Sequence, residues 1–155
     1  MSLPSTFRLQ VLAPDAPLPW DLLLLADPDR ERVSAYMPGA TVLVASIEEE
    51  VMACYVLSPL TVQVAEIKNI AVAPAWQGRG LGRVLLEDAI VRATSLGFHR
   101  LLIGTGNSSL RQLAIYQKAG FALVEVKWGF FDTYPEPIIE DGIPCRHLLL
   151  LGMDL

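Results

Sequence analysis

The segment Asn69-Ile70-Ala71-Val72-Ala73-Pro74-Ala75-Trp76-Gln77-Gly78-Arg79-Gly80-Leu81-Gly82-Arg83-Val84-Leu85-Leu86 limits the possible folds more than any other. Residues 70–72 are apolar and β-prone. Pro74 cannot donate to a sheet ladder, so the strand should stop there. Gly78, Gly80 and Gly82 then fall at every second position. Glycine takes positive φ and leaves no Cβ between the backbone and a ligand. From Leu81 the apolar spacing turns helical, through Val84, Leu85 and Ala89. A helix start carries N–H groups without internal partners and the positive end of the dipole. Strand, glycine turn and helix start together suit a pyrophosphate. A purely structural turn has the same spacing. The dinucleotide fingerprint is excluded, because the glycines run G-x-G-x-G and no acid stands where a ribose needs one. A Walker A loop is excluded because no Gly-Lys-Ser/Thr follows.

The remaining chain reads as alternating short elements. Phe7, Leu9 and Val11 share one side of a strand over 6–12. Residues 13–19 break it, and 20–26 make a short apolar helix. Asp27-Pro28 reads as an N-cap and first helical position, opening a second helix that ends near Tyr36. Strands over 41–47 and 51–57 pair as a hairpin across Glu48-Glu49-Glu50. A long strand covers 61–73. Strict alternation there would place Glu66 and Lys68 beside Val62, Val64 and Ile70, so a bulge is expected near 66–69. The helix after the glycines runs to about Leu96, with Gly97 as its stop. A strand over 99–104, a helix ended by Gly120 and a strand over 121–131 follow. An acidic, proline-broken loop spans 132–142. The last strand covers 143–151, with Cys145, His147, Leu149 and Leu151 on one face.

Composition narrows the function. The 155 residues fit a single domain over 1–155, and 52% apolar with 19% charged residues argues for a packed globule. A net charge of −5 gives nucleic-acid binding no electrostatic support. The two cysteines, Cys54 and Cys145, lie far apart and read as reduced thiols, without metal or redox spacing. No secretory signal or membrane-length apolar run is visible, so a cytoplasmic protein without membrane contact is expected.

Gln77-Gly78-Arg79-Gly80-Leu81-Gly82 resembles the acyl-CoA loop of the GNAT (GCN5-related N-acetyltransferase) family, Gln/Arg-x-x-Gly-x-Gly/Ala after a strand. Tyr116-Gln117-Lys118-Ala119-Gly120-Phe121 carries the second part of the resemblance. The element order β-α-α-β-β-β-α-β-α-β-β is that of the family. The resemblance implies an α/β fold with a mixed, mostly antiparallel sheet of about seven strands flanked by helices. Strands 4 and 5 would splay into a V. It implies an N-acetyltransferase that moves an acetyl group from acetyl-CoA to a primary amine, directly in a ternary complex. The contrasting function is a catalytically silent CoA-binding module.

Family positions map onto this chain residue by residue. Ile70, Ala71 and Val72 would line the pantetheine arm, with an N–H near Val72 on the thioester oxygen. Gln77, Gly78, Arg79, Gly80, Leu81, Gly82 and Arg83 would hold the pyrophosphate. Many members place an asparagine seven residues before the tyrosine; here that place is Ser109, with Asn107 two residues earlier, and either could contact the pantetheine. Tyr116 would protonate the leaving thiolate, or else pack only. Glu66, just before the expected bulge, is the candidate base, against an exposed strand carboxylate. Some members use a glutamate where Gly104 and Thr105 stand here, so that option is absent. Trp20 and Tyr36 would wall the acceptor pocket, although such aromatics commonly belong to the core. Asp132, Tyr134 and Glu136 could bind a cationic acceptor, against a solvated loop. His147 is a conceivable base, against a satisfied core histidine. The apolar run at 147–151 exceeds what one buried face needs. Family members often pair through this region, so a homodimer is expected.

Overall fold

The computed structural model describes residues 3–155. In chain order the elements are β1 (Phe7–Val11), α1 (Trp20–Ala26), α2 (Arg30–Tyr36), β2 (Thr41–Ile47), β3 (Glu50–Pro59) and β4 (Val64–Val72). There follow α3 (Leu81–Ser95), β5 (Arg100–Gly106), α4 (Leu110–Lys118), β6 (Ala122–Lys127), the small hairpin β7 (Ile139–Glu140) and β8 (Ile143–Pro144), and β9 (Leu148–Asp154). Short 3₁₀ turns occupy Pro74–Trp76 and Phe130–Thr133. The main sheet has seven strands in the order β1-β2-β3-β4-β5-β9-β6. Only β4 and β5 pair in parallel. No helix is long and apolar enough to cross a membrane among the described residues.

β4 and β5 pair only over 64–67 against 100–103. Beyond Ile67 and Ile103, β4 continues along β3 to Val72 while β5 continues along β9 to Gly106. The sheet therefore opens as a V at its centre. The bulge falls where charge and core conflicted: Val56 pairs Asn69 and Leu57 pairs Ile67, leaving Lys68 extra. Its effect on facing is direct. Ala65 and Ile67, then Ile70 and Val72, contribute to the larger core, which includes Leu85, Leu86 and Tyr116. Ala71 turns to the smaller core with Leu22, Leu23 and Val33. Tyr55, fully buried on β3, ties α3 down by donating to Asp88 Oδ2 at 2.6 Å, and Arg92 pairs the same carboxylate.

Several expected boundaries move for local reasons. Asp29, not Asp27, caps α2: its side chain accepts from the Glu31 and Arg32 N–H groups. Pro28 therefore precedes the helix. β4 begins at Val64 because Thr61 Oγ1 accepts from the Gln63 and Val64 N–H groups, closing a turn instead. Glu50 joins β3, and Glu48-Glu49 alone make the turn at φ 50° and 73°. β6 stops at Lys127, and Gly129 at φ 69° redirects the chain into the 3₁₀ turn. The last strand starts at Leu148, after Cys145 and His147. It lies inside the sheet between β5 and β6, so its apolar run is buried within the chain.

Candidate active site

A cavity of about 630 Å³ occupies the open side of the V. One wall is the splayed end of β4, Ile70, Ala71 and Val72. The mouth is the glycine loop with Gln77, Gly78, Gly80, Leu81, Gly82 and Arg83. The far wall is α4, with Arg111, Gln112, Ile115, Tyr116, Lys118 and Ala119. Gly78 and Gly80 hold φ 75° and 82°, which side-chain-bearing residues disfavour. Gly80 serves as the N-cap of α3. Gly82 needs no special φ, and a Cβ there would meet nothing within 4 Å. Its bare Cα keeps the helix start open. Gln77 Nε2 donates to the Val72 carbonyl at 3.0 Å, fastening the loop to the end of β4.

These residues fit an anionic, extended ligand. Backbone N–H groups lie at the start of α3, where Arg83, paired with Glu87 at 3.0 Å, also lines the cavity, and α4 adds Arg111 and Lys118. The apolar stretch between suits a pantetheine chain. The α4 cavity residues other than Tyr116 were missed from sequence, yet their signal is present. Residues 111, 115 and 118, and 112, 116 and 119, lie on the helical surface already marked by Tyr116.

The structure brings some anticipated residues together and leaves others apart. Arg79 does not line the cavity; its guanidinium lies over the Trp76 ring, 4.7 Å from the centroid. Asn107 and Ser109 also lie off it. Asn107 Oδ1 accepts from the Arg146 and His147 N–H groups, and its amide donates to the Pro144 carbonyl. Ser109 Oγ donates to Glu140 Oε1 at 2.9 Å. Both side chains are spent on the approach to β9. His147 accepts from the Gly129 N–H at Nδ1 and stacks edge-on with Trp128. That nitrogen is engaged by the backbone.

Tyr116 is 5% exposed. Burial pushes its phenol up, and no charge or hydrogen bond contributes to the shift. A protonated phenol in the cavity wall is suited to giving a proton to a strong base. Glu66 lies one residue before the V opens and pairs with Lys68 at 3.2 Å. It does not line the cavity. Asp132 is gripped by Arg146 through two contacts of 3.1 and 2.9 Å, which holds its carboxyl below the usual range. Trp20 lies under the Arg30 guanidinium at 3.9 Å. Tyr36 accepts from Asn69 Nδ2, and Tyr134 donates to Asp27 Oδ1. Among the described residues no group of acidic, histidine or cysteine side chains is placed to hold a metal.

The model of the acetyltransferase (GNAT) family matches residues 9–121. The chain belongs to the GNAT acetyltransferase family. It is similar to N-acetyltransferase YvbK of Bacillus subtilis, 43% identical over 137 residues and 88% of each chain. It is also similar to a GNAT acetyltransferase of Elizabethkingia anophelis, solved with acetyl-CoA bound. That likeness has a TM-score of 0.94 and 43% identity, over 98% of this chain and 100% of that one. An IAA acetyltransferase of Bacillus cereus superposes with a TM-score of 0.92 at 40% identity, over 96% and 99%. The acetyltransferase is therefore an acetyl-CoA-dependent acyltransferase in fold and family, and the acetyl-CoA-bound neighbour supports that co-substrate.

Proposed function

We propose that this acetyltransferase moves an acetyl group from acetyl-CoA to a primary amine directly, with both bound at once. The carrying observation is the V of β4 and β5, with Tyr116 in the cavity wall and Glu66 at the apex. The β4 end and the glycine loop would hold the pantetheine and pyrophosphate. An exposed N–H near Val72 would stabilise charge on the thioester oxygen. The neutral amine nitrogen bonds the acetyl carbon and the C–S bond breaks. Tyr116 gives its proton to the thiolate, and the amine proton passes to Glu66, directly or through water. Holding both reactants in place supplies much of the rate.

Direct transfer is supported by the state of the thiols. Cys54 is fully buried and its thiol is pushed up to about 12. Burial also raises Cys145. Neither lines the cavity, so neither suits a covalent acetyl carrier. Initial rates of thiol release, with acetyl-CoA and an amine both varied, test the proposal. Intersecting reciprocal plots are expected; parallel plots would point to a covalent carrier. CoA binding by calorimetry with no thiol release across an amine panel would instead identify a silent CoA-binding module.

A further inference from the structure

The face of β4 opposite the larger core carries a polar arrangement that the steps above do not use. Asp27 ends α1, and its N–H donates to the Leu23 carbonyl at 3.1 Å. Asn69 Nδ2, from β4 just past the bulge, donates to the same carbonyl at 2.9 Å. Asp27 therefore sits on the turn that leans on β4, next to the residue preceding Ile70. Its Oδ1 accepts from the Tyr134 hydroxyl at 3.0 Å and the Asp29 N–H at 3.1 Å. Tyr134 is 9% exposed and arrives from 107 positions along the chain. Two distant segments thus converge on one half-buried carboxylate.

That carboxylate has no cation within 4.0 Å among the described residues. Its neighbour Asp29 is paired with Arg32 at 3.6 Å. Arg32 also lies over the rings of Phe130 and Tyr134 and donates to Thr133, and it acts on Asp27 from beyond contact distance. Burial is the main influence on Asp27 and raises its carboxyl above the ordinary value. A carboxylate stripped of part of its water, held in place and with no cation in contact, has room for a further cation.

We propose that Asp27 recognises the acceptor, taking an ammonium group beside the Tyr36 and Tyr134 hydroxyls while a second, neutral amine of the same molecule serves as the nucleophile. The identity of that molecule as the acceptor rests on the transfer reading; the binding itself does not. Charge recognition thereby moves from Asp132, which Arg146 neutralises, to a carboxylate anchored against β4.

The test is calorimetric binding of 1,4-diaminobutane and butylamine to the CoA-saturated protein. Asp27→Asn keeps an oxygen for the Tyr134 hydroxyl and deletes only the charge. It should weaken amine binding at least tenfold and leave CoA affinity unchanged. The proposal is overturned if the wild type binds neither amine, or if Asp27→Asn binds them as tightly. Loss of CoA binding in Asp27→Asn would assign Asp27 to structure and overturn it equally. Amine binding that depends on Asp27, without thiol release from acetyl-CoA, would sink the transfer reading and leave this one standing.

Discussion

The cofactor side and the acceptor side of β4 are held by different kinds of contact. On the cofactor side the site is largely backbone: a splayed strand, two glycines at positive φ and the first turn of α3. On the acceptor side it is side chain on side chain. Tyr36 meets Asn69, Tyr134 meets Asp27, and Arg32 covers Phe130 and Tyr134. A backbone site binds what every acyl-CoA shares. A side-chain site can change with single substitutions without disturbing the cavity. On the proposed function, the comparison puts shared chemistry on one face and selectivity on the other.

The largest test of this division is Tyr116→Phe. It deletes one hydroxyl and keeps the ring, so acetyl-CoA affinity by calorimetry should hold. Acid catalysis contributes about 10²–10⁴-fold, and kcat should fall within that range. Because burial raises the phenol above its ordinary value, the acid stays protonated at pH 10. Wild-type kcat should therefore show no decline as pH passes 10. A decline there, or an unchanged kcat in the variant, would remove the acid role.

A smaller effect is expected at Gly82. Gly82→Asp adds a carboxylate in open space without demanding positive φ, and an acid in the first turn of α3 favours the helix. Acetyl-CoA affinity should fall at least tenfold, about 1.4 kcal/mol, with no loss of thermal stability. Unchanged affinity would break the assignment of the loop to the pyrophosphate.

Below this comes Tyr55→Phe, under the cofactor side. Losing the bond to Asp88 should cost about 1 kcal/mol in urea unfolding, while amine selectivity stays fixed. A shift in selectivity would show that the two faces are coupled. The smallest change belongs to Arg32→Leu, which removes the cation over the two rings. Stability should drop by about 0.5–1 kcal/mol, and acetyl-CoA affinity should not move.

The same division decides what could be read from the sequence. The glycine loop was legible because positive φ and a bare helix start demand glycine whatever surrounds them. The bulge was legible because Glu66 and Lys68 could not both follow the alternation of the apolar residues. The cap of α2 was misplaced by two residues: Asp27-Pro28 suits a helix start, but the fold spends Asp27 on Tyr134 and Asp29 caps instead. Asn107 and Ser109 stood at plausible spacing, yet the chain leading to β9 takes up their hydrogen bonds. Such pairings join residues more than 30 positions apart, and no local pattern encodes them. The dimer expectation drew on the apolar run at 147–151; β9, from Leu148, lies between two strands, so the run alone does not call for a partner.

The position of β9 also has a consequence for the nascent chain on the ribosome. β9 is made after β5 and β6, yet it is the strand that separates them. Until it emerges, both earlier strands present bare edges to other chains. β5 then has only four paired positions along β4 to hold it. The V that shapes the cavity would gain its second arm only when the last strand is threaded into place. Partly made chains should therefore be sticky and unable to retain acetyl-CoA, and a block to β9 insertion would act as a loss of function before any catalytic residue is touched.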